Sequence, residues 1–158
     1  MKLSLARFVL PALLPMRLIG GNVGTITATP STVVITSTNP ATPVSSSVTL
    51  TWLQSGGDNN KTWNVTVYAN QSTLASCPAI STSAISVQCT SASNTGNGTG
   101  SCSGSFPLST TPTQVVGGKQ ASGSANFTVH ITYQFGSDSW TYIGNTCSLT
   151  LTYVVTQN

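Results

Sequence analysis

The sequence predicts an all-β protein, an antiparallel β-sandwich of about seven to nine short strands. Three observations carry this. Apolar and polar residues alternate with period two in run after run, and helical periodicity is missing beyond residue 20. Turn-forming clusters stand between the runs: Asn39-Pro40, Gly56-Gly57-Asp58-Asn59-Asn60, Gly117-Gly118 and Gly136-Ser137-Asp138. Polarity comes from hydroxyls rather than ions, with 23 Ser and 26 Thr among 158 residues and only 4% charged residues, against about 25% in an ordinary soluble domain. Low charge can accompany disorder, but 39% hydrophobic residues and a neutral body argue for a packed core.

The first 22 residues read as an export signal or a disordered leader, and residues 23–158 as one sandwich domain. Lys2 and Arg7 precede an apolar run from Phe8 to Met16. That run is too short for a membrane span, which takes about 20 residues, and Pro11 and Pro15 interrupt it. Arg17 and the lack of a small-x-small cleavage site before Gly24 stand against a signal peptide. Candidate strands then follow at Thr25 to Thr29, Thr32 to Thr38, Val48 to Trp52, Trp63 to Val67 and Ala84 to Thr90. Further candidates are Gln114 to Val116, Phe127 to Phe135, Trp140 to Ile143 and Cys147 to Tyr153. In the clearest of them Val48, Leu50, Trp52, Trp63, Val65, Val67, Phe127, Val129, Ile131 and Tyr133 share the core parity. Thr49, Thr51, Asn64, Thr66, Thr128, Thr132, Thr150 and Thr152 fall on the wet one.

Four cysteines, Cys77, Cys89, Cys102 and Cys147, have no C-x-x-C spacing, and the one histidine lies elsewhere in the chain, so a zinc site is disfavoured. Two disulfides, and with them an oxidising compartment, are the better reading; buried free thiols are the alternative. Of the three connectivities, Cys89 with Cys102 and Cys77 with Cys147 is favoured. The stretch Asn94-Thr95-Gly96-Asn97-Gly98 is placed to turn a hairpin that sets Cys89 opposite Cys102.

The opening Thr25 to Thr38, broken at Pro30 and followed by Val48-x-Leu50-x-Trp52, resembles the first strands of bacterial immunoglobulin-like modules on secreted and cell-surface proteins. The resemblance spans about residues 23–70 and implies an immunoglobulin-like sandwich in an extracellular setting; it brings no functional residue with it. Trp52 and Trp63 both precede the first cysteine, unlike antibody domains.

Composition excludes several chemistries. The net charge of +3 belongs to the leader, because Lys61 and Lys119 cancel Asp58 and Asp138 in the body. Nucleic-acid binding requires more cations than that. No Glu is present, and the two Asp lie in turn clusters, so a pair of catalytic carboxylates or a calcium cage is not expected. His130, the lone histidine, falls on the solvent parity with no Gly-x-Ser-x-Gly elbow in the chain. The expectation is a non-enzyme with no cofactor and no metal. Asn60, Asn64, Asn70, Asn97 and Asn126 head glycosylation sequons, which arise readily by chance in a chain so rich in Ser and Thr. Repeated Thr-x-Thr is explained by cross-strand pairs on a wet face.

What remains is an extracellular structural or adhesive surface module. Edge strands are normally guarded by Lys, Pro or inward charge, and these uncharged, Thr-rich strands lack such guards. A pilus-like subunit assembling by β-strand addition fits this composition. Ile26, Thr27, Val33, Val34 and Ile35, on either side of Pro30, form the candidate strand-exchange segment. The alternative is a carbohydrate-binding module in which Trp140, Tyr142 and Tyr68 contact a glycan. The partners expected are thus other copies of the chain or surface glycans; nucleic acid and a transmembrane segment are not.

Overall fold

The computed structural model describes residues 27–29, 33–36, 45–54, 62–96, 98–119, 125–135 and 146–157. These form an all-β, wholly antiparallel structure, its only helical element a 3-10 turn at Thr82–Ala84. In chain order the strands are β1 (Thr27–Thr29), β2 (Val33–Thr36), β3 (Ser45–Gln54), β4 (Thr62–Ala69), β5 (Thr73–Leu74), β6 (Cys77–Ser81) and β7 (Ile85–Asn94). They continue with β8 (Thr99–Cys102), β9 (Phe106–Pro107), β10 (Thr113–Lys119), β11 (Ala125–Phe135), β12 (Thr146–Leu149) and β13 (Leu151–Gln157). A five-stranded sheet has the order β1-β3-β11-β7-β9 and a four-stranded sheet the order β13-β4-β10-β8; β12-β2 and β5-β6 are small satellites.

The inner faces of the two large sheets share one apolar core. Val48, Leu50, Phe127, Val129, Ile131 and Tyr133 come from one, Trp63, Val65, Val67, Tyr153 and Val155 from the other. Period two is why: alternate residues of β4, β3 and β11 must point inward, and these are the apolar ones. Two bulges repair the pattern where the alternation slips. In β7, Ile85, Val87 and Cys89 point inward, and the pairing jumps from Cys89 opposite Ile131 to Ser91 opposite His130. Thr90 is the extra residue, so inward parity moves to Ala92. In β10 the shift between Gln114 and Val116 makes Val115 the extra residue, and both valines are buried.

Trp63 anchors the joint between the sheets. Its ring meets Phe127 edge-on at 4.9 Å, and its indole N–H donates to the Lys119 carbonyl at 3.1 Å. Register places Trp63, Gly118 and Gly100 in one inward row across β4, β10 and β8. A Cβ at Gly118 would collide with the Trp63 ring and the Thr99 carbonyl. Gly117-Gly118, expected to separate strands, therefore lies inside β10, because the indole occupies the space a side chain would need.

The disulfides are Cys77–Cys147 and Cys89–Cys102. The second pair does not bridge a hairpin. β7 belongs to the five-stranded sheet and β8 to the four-stranded one, so the chain turns a corner between sheets and the disulfide ties the two layers. Gly96, at φ 102°, takes the left-handed conformation the corner requires. Thr95 fastens the corner to β11: its N–H donates to the Asn126 carbonyl at 2.9 Å, and its hydroxyl accepts from the Asn126 N–H at 3.2 Å. Cys77–Cys147 ties the β5-β6 hairpin to β12. Ala75 adds two backbone bonds to Ser148 there.

Thr152, on the parity expected to be wet, is buried. Its hydroxyl donates to Asn70 Oδ1 at 2.6 Å, which satisfies the polar group on burial. Strands β5, β6, β8 and β9 escaped the alternation because they run only two to five residues, and β6, β8 and β9 also carry Cys, Pro or Gly. The predicted strand Trp140 to Ile143 lies outside the described residues. β13 sits beside β4; in the immunoglobulin constant arrangement the last strand flanks the preceding strand of its own sheet. No helix among the described residues is long and apolar enough to cross a membrane.

Candidate functional site

The outer face of the five-stranded sheet is a registered field of neutral polar groups. One row runs Thr27, Thr51, Thr128, Ser93, and the next runs Thr29, Thr49, His130, Ser91. His130 is exposed, as its parity predicts, and its Nδ1 lies 3.0 Å from the Thr49 hydroxyl. Its described neighbours are hydroxyls, so nothing among them orients the imidazole as a carboxylate would. Asp58 and Asp138 lie outside the described residues, as do Trp140, Tyr142 and Ile26. Among the described residues no group of three or more His, Cys, Asp or Glu could hold a metal.

Thr27 and Val33 to Ile35 are paired within their own chain. Thr27 lies opposite Thr51 on β3, while Val33, Val34 and Ile35 lie opposite Leu149, Ser148 and Cys147 on β12. The chain thus changes sheets between β1 and β2, across Pro30. Tyr68 is half-buried and shares the outer parity of β4 with Thr62, Asn64 and Thr66.

On this outer face of the four-stranded sheet lies a shallow groove of about 470 Å³. Composition alone did not reveal it. Its floor is the bare backbone of Gly117, which register sets between Asn64 of β4 and Ser101 of β8. Gln114 and Ser103 line it as well, and so do Thr62 and Lys119, which stand opposite each other in register. Three features hold the walls in place. The Lys119 carbonyl accepts from Trp63, the Lys119 N–H donates to the Thr99 hydroxyl at 3.3 Å, and Cys102, between Ser101 and Ser103, is tied to Cys89. Lys119 is the one charged side chain among the described residues.

A second chemical feature is buried. Tyr133 of β11 and Tyr153 of β13 face each other across the core with their hydroxyl oxygens 2.8 Å apart. Burial pushes both phenols up; for Tyr133 the nearby Tyr153 raises it further, whereas the bond to Tyr133 partly offsets the rise at Tyr153. Both stay neutral at physiological pH. They clamp the sheets together, and no chemistry is assigned to them.

Comparison of the chain with protein-family models, with curated proteins and with solved structures finds no match.

Proposed function

We propose that the chain is an extracellular, non-enzymatic structural or adhesive module that assembles by strand addition at the edge formed by β13. The supporting observation is the edge itself. β13 ends its sheet and runs seven residues, Leu151–Gln157, with no charge, no proline and no bulge. The Thr150 carbonyl accepts from the Asn70 N–H at 3.1 Å, so even-numbered residues bond toward β4. Leu151, Tyr153 and Val155 therefore turn their backbone N–H and C=O outward, where no strand among the described residues meets them. Such an edge is a template for another chain.

The edge continues the side of the chain that β2 covers along β12. Pairing of two β13 edges about a two-fold axis closes a dimer, whereas a segment of one copy laid on the next gives an open filament. Exchange of the β1–β2 segment between copies would keep the same pairs in trans. The two disulfides support an oxidising compartment. The split of the first strand between sheets supports an immunoglobulin-like reading; the position of β13 beside β4 weighs against it.

Size-exclusion chromatography with light scattering and negative-stain microscopy test the proposal. The wild-type chain is expected to form species larger than a monomer with rising concentration. Val154→Lys, which puts a charge on the outer face of β13, should return it to monomer while the circular dichroism spectrum is unchanged. A wild-type chain that stays monomeric at high concentration would overturn it.

A further inference from the structure

We infer that the groove over Gly117 is a binding site for an acidic oligosaccharide lying along β4, with its anionic group at Lys119 and a pyranose face against Tyr68. The inference stands independently of the β13 edge. The groove offers Asn64, Gln114, Ser101, Ser103 and Thr62, side chains that both donate and accept hydrogen bonds and carry no charge. That set matches the hydroxyls of a sugar and is a poor match for an apolar ligand.

Three further observations sharpen the ligand class. Lys119, alone among the described residues in its charge, borders this groove, so preference for an anion has a local source. Asn64, Thr66 and Tyr68 share the outward parity of β4, which puts Tyr68 about 13 Å along the strand from Asn64. A single sugar cannot touch both ends, whereas an oligomer can. The tethers on Lys119 and Cys102 hold the walls before any ligand arrives, which lowers the ordering cost of binding. A bulky residue at position 117 would close the groove. The Cβ itself crowds only the end of the Gln114 side chain, at 2.9 Å, and lies at ordinary contact, 3.5 Å, from the Trp63 carbonyl, so a side chain can be introduced there without moving backbone.

The test is titration calorimetry and amide chemical-shift mapping on the disulfide-bonded protein. The probes are an oligogalacturonate hexamer, its methyl ester, the corresponding acid dimer, a heparin-derived hexasaccharide and sodium sulfate. The acid hexamer or the heparin fragment is expected to shift groove amides and to bind about two- to fivefold more tightly than the neutral ester, the range of one exposed ion pair. Lys119→Gln should erase that preference. Tyr68→Ala should weaken hexamer binding by about three- to tenfold and leave the dimer unchanged. Gly117→Thr should abolish binding while preserving or raising thermal stability, a combination that a purely structural role for the groove would not give. Absence of groove shifts with both charged oligomers overturns the inference, as does equal binding by Lys119→Gln or full competition by sulfate alone.

Discussion

The paired phenols of Tyr133 and Tyr153 make a double-mutant cycle decisive about what joins the two sheets. Each hydroxyl has the other as its hydrogen-bond partner among the described residues, and the two side chains are 0% and 3% exposed. Replacing one tyrosine by phenylalanine removes a bond worth about 1 kcal/mol and strands the remaining hydroxyl in the core, for a total of about 1–3 kcal/mol. Replacing both removes the stranded group as well, so the double variant should lie within about 1 kcal/mol of wild type. The coupling energy, the two single losses less the double one, is then about 1–6 kcal/mol. Urea unfolding with the disulfides intact, followed by tryptophan fluorescence, measures all four corners. Additive losses, with the double variant the least stable, would show that the two hydroxyls do not depend on each other.

The same pair sets an alkaline limit. A phenol whose folded pKa is raised above its unfolded value of about 10 contributes stability that is whole below pH 10 and lost as pH climbs toward the folded value. Each such group steepens the loss by up to about 1.4 kcal/mol per pH unit. Wild type should therefore lose stability above pH 10 more steeply than the Tyr133→Phe, Tyr153→Phe double variant.

Two further predictions concern the joints. Gly118→Ala should cost about 2–4 kcal/mol in the same unfolding assay, because the new Cβ meets both the Trp63 ring and the Thr99 carbonyl and one of these is backbone. Gly117→Ala, one residue away, should change stability by less than about 1 kcal/mol. Removing Cys77–Cys147, which closes 70 residues, should cost about 4 kcal/mol by loop entropy, against about 3 kcal/mol for Cys89–Cys102, which closes 13. Melting temperatures of the paired Cys→Ala variants give the order, and a larger loss from the short loop would contradict the entropic account.

The alternation of β3, β4 and β11 was legible because each is long enough for period two to show and has one face buried. The cysteine pairs were legible from their number and spacing, but the expected geometry was not: β7 and β8 lie in different sheets, so the chain turns a corner between them rather than a hairpin. Turn residues specify a local change of direction, and only packing decides which sheet the chain then joins. Gly117-Gly118 shows the same division. As a dipeptide it signals a turn, and only the Trp63 ring, brought over Gly118 by the pairing of β10 with β4, accounts for glycine inside a strand.

Residue order and composition were enough for the all-β class, the near absence of charge and the two-disulfide pattern, because these are properties of local periodicity, spacing and residue supply. The groove at Gly117, the clamp between Tyr133 and Tyr153, the buried Thr152 and the outward backbone of β13 were decided by tertiary structure alone. Each depends on which strands lie side by side and in what register. Register in a sandwich is set by burial across the whole sheet, so no single stretch of sequence contains it.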